Sequence, residues 1–173
     1  MKNEVIAFGG GCFWCTEAVF LLFKGISKVT SGYAGGQMPD PTYWDVCKGN
    51  TGHAEVLKIE YDPEKMPLEQ LLDVFFTMHD PTSLNRQGGD SGSQYRSIIL
   101  YTTEKQKNVA QGFIKQQQKN FEKPIVTELK KLDVFYPAED YHQRYYEKNP
   151  LQPYCFVVIG PKIAKVKKKY GLS

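Results

Sequence analysis

The sequence predicts an α/β fold: a two-layer α/β sandwich on a ferredoxin-like mixed sheet, with helices on one face and an irregular C-terminal tail. Three observations carry this. Strand-like and helix-like stretches follow one another as strand–helix–strand, then strand–helix–strand. The clearest helix places Leu68, Leu71, Leu72, Phe75 and Phe76 at i, i+3, i+4, i+7 and i+8, one apolar stripe that must be buried against another layer. The 173 residues are 41% hydrophobic and 24% charged, enough apolar chain for one core without cross-links.

In chain order, residues 4–8 read as a short buried strand, Val5-Ile6-Ala7-Phe8, ended by three glycines. Residues 12–23 read as a helix that stops near Lys24-Gly25. Residues 26–34 read as a strand running into Gly35-Gly36, and 35–53 as a long loop. That loop carries Tyr43, Trp44 and Cys47, residues that argue against disorder. Residues 54–61 alternate as a strand with one buried face. Pro67 suits the first turn of the striped helix, and Asp80-Pro81 stops it. A second polar loop, 82–95, leads to a strand at 96–101, a helix at about 103–120 and a strand at about 125–131. After Pro137 a short helix is expected near 138–148, and Phe156-Val157-Val158-Ile159 as a strand or extended tail. We read residues 1–173 as a single domain, with a core over about 4–146 and a tail over about 147–173.

Composition excludes several classes. No apolar run approaches the roughly 20 residues of a membrane span. The N-terminus lacks the pattern of a secretory signal, so the cytoplasm is the expected compartment. The net charge of +3 is slight, and five lysines crowd into positions 162–169, which gives no reason to expect nucleic-acid binding. Nothing marks a dimer face, and a monomer is expected. Four cysteines in such a chain read as catalytic, metal-binding or buried rather than as a disulfide framework.

The chemistry concentrates in Gly11-Cys12-Phe13-Trp14-Cys15. Cys12 lies where a strand hands over to a helix, and unpaired backbone N–H groups there should stabilise its thiolate. Two bulky aromatic residues beside a reactive sulfur suit a small apolar group attached to an oxidised atom. Cys12-x-x-Cys15 could also be a dithiol pair or half of a zinc site. The remaining cysteines, Cys47 and Cys155, and the histidines His53, His79 and His142 lack zinc-ligand spacing, so no metal is expected. Glu55 enters an apolar strand from a loop; half-buried, its carboxyl would be a usable acid near neutral pH, the ordinary alternative being a solvated strand end. Tyr43 and Tyr95, two of eleven tyrosines, are phenols on loops that could donate hydrogen bonds into a cleft. The glycines flanking Asp90 permit close backbone approach to a ligand without forming a phosphate loop.

These segments together resemble the A-type peptide methionine sulfoxide reductases. The matching runs are Gly9–Trp14, Ser31–Gly36, Pro41–Tyr43, Thr51–Glu55, His79–Pro81, Arg86–Gly88, Asp90, Gln94–Ser97 and Ala138–Gln143, in family order. The resemblance implies that Cys12 is the nucleophile and that Phe13 and Trp14 hold the substrate methyl. It implies that Glu55, Tyr43 and Tyr95 surround the sulfoxide oxygen and that Asp90 supports the site. The implied reaction reduces methionine S-sulfoxide in oxidised proteins, with the free amino acid left open. It needs no cofactor, passes through a Cys12 sulfenic acid and an intramolecular disulfide, and is recycled by thioredoxin. Cys155 is the favoured resolving thiol, because an extended tail could bring it to the site; Cys15, one helical turn from Cys12, is the alternative, and Cys47 a distant third. Two other classes stay open: a general thiol–disulfide oxidoreductase on Cys12 and Cys15, and a zinc-structured or peptide-binding sensor of oxidation.

Overall fold

The computed structural model describes residues 2–173. Its main sheet has six strands in the order β7-β6-β1-β3-β2-β8. These are β1 (Glu4–Gly9), β2 (Ile26–Ala34), β3 (Ala54–Tyr61), β6 (Ile98–Tyr101), β7 (Glu128–Lys131) and β8 (Phe135–Pro137). The inner four strands pair antiparallel, with β1 between β3 and β6 and with β3 between β1 and β2. Helix α1 (Phe13–Phe20) links β1 to β2, and α3 (Leu68–Met78) lies between β3 and β6. This is the predicted ferredoxin-like arrangement. Strand β7 adds parallel to β6 and β8 antiparallel to β2, which makes the sheet mixed.

Side-chain alternation sorts the sheet into two faces. Ile6 and Phe8 of β1, Leu57, Ile59 and Tyr61 of β3, and Ile99 of β6 join α1, α3 and the C-terminal helix in the larger core. Ala7, Ala54, Val56, Ile98 and Leu100 face the other way, into a smaller cluster covered by Leu132 and Phe135. Strand β1 is buried on both faces, which is why its sequence is a continuous apolar run. Glu55 has the parity of Leu57 and therefore points into the helix layer, at the end of β3 beneath the start of α1.

The stripe read from the sequence forms α3, with Pro67 at its N-cap and Leu68, Leu71, Leu72, Phe75 and Phe76 all buried. Within loop 35–53 the structure adds α2 (Tyr43–Cys47), capped by reciprocal hydrogen bonds between Thr42 and Asp45. The loop is pinned by His53, whose Nδ1 accepts from Gly36 N at 3.0 Å and whose Nε2 lies 2.7 Å from Met38 O. A Cβ at Gly36 would fall 2.2 Å from His53 N, so glycine is required there by close approach. Loop 82–95 folds into a two-stranded ribbon, β4 (Arg86–Gln87) with β5 (Asp90–Ser91), and a 3-10 turn at Ser93–Tyr95. The expected helix at 103–120 is α4 (Glu104–Gln117) followed by a 3-10 turn.

The expectation for 156–159 is corrected. This segment is neither strand nor extended: a π-helical turn, Cys155–Ile159, leads directly into α6 (Gly160–Tyr170). The run Val157-Val158-Ile159 has high strand propensity, but Cys155, Ile159, Ile163, Val166 and Tyr170 recur at helical spacing and pack on the larger core. Between β8 and this segment lie a 3-10 turn at Asp140–His142 and a short α5 (Tyr145–Lys148). Glu17 of α1 fixes this connection by accepting from Arg144 N at 2.8 Å.

Phe75 is fully buried and stacks on Phe8 at 4.7 Å and on His79 at 4.0 Å. Phe75→Ala should cost about 3–5 kcal/mol of stability, measured as a lower urea midpoint at unchanged slope.

Candidate active site

Gly11 adopts φ +96°, a left-handed turn that ends β1 and delivers Cys12 to the N-cap of α1. Cys12 has extended backbone angles and so stands just outside the helix it starts. Gly11 N donates to Tyr95 O at 3.2 Å and ties this turn to the 82–95 loop. Phe13 N donates to Glu55 Oε2 at 3.1 Å. An orphan amide at a helix start is therefore satisfied by a carboxyl from β3, which places that carboxyl beside Cys12.

A distinct cluster surrounds the sulfur: Cys12, Phe13, Tyr33, Val46 and Ala138, with Trp14, Tyr43, Tyr95, Tyr136 and Tyr154 packed on it. Trp14 stacks on Tyr145 at 3.7 Å and donates its indole N–H to His142 Nδ1 at 3.0 Å. Glu139 sets the position of Tyr43: its carboxylate accepts from Tyr33 Oη at 3.0 Å and from Tyr43 N at 3.1 Å. Burial opposes ionisation of Glu139, yet these bonds and its own amide hold its carboxyl below the usual range.

Electrostatics at the centre correct one expectation. Cys12 is only 8% exposed, and burial pushes its thiol well above the usual value, with the Glu55 charge adding to the rise. The backbone N–H of Trp14 favours the thiolate, as the helix start predicts, but desolvation outweighs it. The resting site thus holds a neutral thiol. Burial also pushes Glu55 up to about 8, against the Phe13 N–H bond, so this carboxyl is an acid at neutral pH. Burial and neighbouring acidic groups raise Tyr43 and Tyr95 as well, and both stay protonated donors.

The structure therefore brings together Cys12, Phe13, Trp14, Glu55, Tyr43 and Tyr95 from α1, β3, α2 and the 3-10 turn. Asp90, on β5, joins them through Tyr154, whose hydroxyl donates to Asp90 Oδ2 at 2.6 Å. Nothing in the sequence marks Tyr154 except its place beside Cys155, and nothing marks Tyr145, whereas His142 and Glu139 lie in the run Ala138–Gln143. Cys155 is not carried by an extended tail. Its thiol is buried in the larger core, in the cluster that also holds Cys15. All four cysteines are free thiols. A general dithiol exchanger needs an exposed thiol of low pKa, whereas Cys12 is nearly sealed and Cys15 fully so. Among the described residues no group of three or more His, Cys, Asp or Glu side chains is placed to hold a metal ion. No helix there is long and apolar enough to cross a membrane.

A neutral thiol, a protonated carboxyl and two phenols inside an aromatic cage define a thiol-based reductase of a small oxidised group. The comparisons narrow this. A family model described as Peptide methionine sulfoxide reductase matches residues 4–172. Peptide methionine sulfoxide reductase MsrA of Acinetobacter baumannii (strain AYE) is 58% identical over 163 residues, which is 94% of each chain. Mxr1 from Saccharomyces cerevisiae in reduced form superposes with a TM-score of 0.85 at 36% identity, covering 89% of this chain and 90% of that one. Mxr1 in complex with Trx2 is also similar, with a TM-score of 0.61 at 26% identity over 83% and 85%. The chain belongs to the peptide methionine sulfoxide reductase family, the family its motifs indicate.

The raised Glu55 value has a thermodynamic signature. The native state keeps a proton that the unfolded chain releases above about 4.5, so the contribution of Glu55 to stability falls as pH rises from there to about 8. Glu55→Gln removes this loss. Its unfolding free energy relative to the unmutated protein should increase between pH 5 and pH 8 and then level off, as read by urea titration at each pH.

Proposed function

We propose that residues 1–173 act as one catalytic domain that reduces methionine S-sulfoxide in oxidised proteins to methionine, using thioredoxin as the final reductant. The observation that carries this reading is the joint burial of Cys12 and Glu55 under one aromatic cluster, with the carboxyl protonated at neutral pH. Phe13 and Trp14 form the wall that takes the S-methyl group. Glu55, Tyr43 and Tyr95 face the sulfoxide oxygen, and Asp90 supports the site through Tyr154.

A sulfoxide is a strong dipole, positive at sulfur and negative at oxygen. Bound against the aromatic cluster, it turns its positive end toward Cys12 Sγ and its oxygen toward the three donors. Glu55 gives its proton to the oxygen while Cys12 sulfur attacks the substrate sulfur, and the phenols stabilise the charge still on oxygen. This attack joins Cys12 sulfur to the substrate sulfur; the protonated oxygen then passes to Cys12 sulfur as the substrate S–O bond and the new S–S bond break, and methionine leaves. Cys12 becomes a sulfenic acid, two electrons pass from its sulfur to the substrate sulfur, and the thiol proton restores the Glu55 acid. A second thiol condenses with the sulfenic acid, water leaves, and an external dithiol reduces the disulfide. The similarity to Mxr1 in complex with Trx2 supports thioredoxin as that dithiol. A cytoplasmic site of action agrees with the need for a reducing pool of such dithiols.

Cys12→Ser should abolish methionine release from a methionine-sulfoxide peptide; retained turnover would remove Cys12 from its role. In single-turnover experiments Glu55→Gln should slow methionine release by about 10²–10⁴-fold at pH 7. The unmutated rate should fall as pH rises through about 8, where Glu55 loses its proton, whereas the slow Gln variant lacks that limb.

A further inference from the structure

We propose that Trp44 and Tyr141 form a docking surface for the residues that flank methionine sulfoxide in a substrate chain, and that this surface selects large apolar neighbours, aromatic ones above all. Resting on the reductase reading above, this assignment sets which peptides the site takes.

Burial locates the mouth of the site. Cys12, Phe13, Tyr33, Val46 and Ala138 are buried and form the floor. Trp14, Tyr43, Tyr95 and Tyr154 are half-buried and reach the surface around it. On one side the aromatic packing does not stop at this rim. The Tyr43 ring meets the Trp44 ring edge-on at 5.3 Å and the His142 ring at 4.6 Å. The His142 ring in turn meets that of Tyr141 at 4.1 Å. Trp44 is 69% exposed and Tyr141 53%, so the cage continues outward into two rings open to solvent. A single exposed apolar side chain is ordinary, but two large rings joined through the wall of one cage call for an occupant.

Both rings are carried on fixed segments. Trp44 lies on α2, whose start is capped by Thr42 and Asp45 and whose Tyr43 and Val46 pack on the cage cluster. Tyr141 lies on the 3-10 turn that buries His142. Glu139, at the start of that turn, accepts from Tyr43 N and so ties the two segments together. Aromatic side chains on a fixed backbone give large contact area at little cost in conformational freedom.

The geometry of an entering chain names the occupant. A methionine side chain reaches only a short way from its Cα, so with the sulfoxide against Cys12 the substrate backbone lies at the rim. In an extended chain successive side chains point to opposite sides. The residues adjacent to the sulfoxide therefore point away from the enzyme. Those two positions before or after it point back, about 7 Å along the chain, where rings one layer outside the cage can meet them. Indole and phenol rings pack best on apolar and aromatic side chains, by edge or face contact. The free amino acid has no such neighbours and gains nothing from this surface.

The test compares three substrates with dithiothreitol as reductant, so that thioredoxin plays no part. One is acetyl-methionine sulfoxide amide. The second is a blocked pentapeptide with methionine sulfoxide at the centre, alanine beside it and phenylalanine at both ends, and the third carries serine at both ends instead. The unmutated protein should show kcat/KM about tenfold higher for the phenylalanine peptide than for the serine peptide, through KM with kcat unchanged. Trp44→Ser combined with Tyr141→Ser should reduce that ratio to about twofold or less and leave the rate on the acetyl amide unchanged. Trp44→Phe combined with Tyr141→Phe keeps both rings and should keep most of the preference. Equal kcat/KM for the two peptides in the unmutated protein would overturn the docking surface, as would a preference that survives loss of both rings. An equal fall on all three substrates in the serine variant would overturn it too, since the rings would then only support the cage. Absence of methionine release from every substrate with the unmutated protein would instead refute the reductase reading itself.

Discussion

The site depends on one constraint: a carboxyl and a thiol are shut away from water in the same small volume. A carboxyl free in solution ionises near pH 4.5 and holds no proton at neutral pH. Burial keeps Glu55 in the acid form, and the Phe13 amide keeps it aimed at the start of α1. That amide bond favours the charged carboxylate, so it works against the rise and is outweighed by desolvation. Position and protonation are thereby set by two different forces, one directional and one not.

The scaffold supplies this arrangement through strand parity and helix entry. Glu55 lies on the helix side of β3 because it is two residues before Leu57, and Cys12 lies above it because β1 runs antiparallel to β3 and ends at Gly9. The phenols arrive on connections rather than on the sheet: Tyr43 on the capped turn of α2, and Tyr95 on the 3-10 turn whose carbonyl holds Gly11. Glu139 then couples the second strand to α2 by bonding Tyr33 and Tyr43 at once. Each loop is fixed by at least one hydrogen bond to a neighbouring element, so the fold itself holds the cage together.

Much of this was legible in the sequence, for physical reasons that can be named. The α3 stripe and the β3 alternation are direct readouts of one-sided burial, and β1 shows two-sided burial. The candidate residues Cys12, Phe13, Trp14 and Glu55 stand at element boundaries that glycines and periodicity make visible. What was not legible depends on contacts between distant segments. Strand β8 is only three residues long and exists because Gly32 to Ala34 accept it as a partner. The C-terminal helix was hidden by a β-branched run whose local preference is overridden by packing of Cys155, Ile159 and Val166. The direction of the Cys12 shift is not legible in the sequence because a helix N-terminus is a local feature, whereas desolvation is decided by everything folded around it.

The two tryptophans of the chain differ in exposure, Trp14 being half-buried and Trp44 exposed. Trp14 is stacked on Tyr145 inside the cage, within edge contact of Tyr154, whereas Trp44 is 69% exposed. The ultraviolet emission of the protein therefore combines a background from the exposed indole with a signal from the indole packed on the Cys12 cluster. With Trp44 replaced by phenylalanine, the enzyme becomes its own optical probe, and each oxidation and reduction of the thiols can be followed in a stopped-flow cell without any dye.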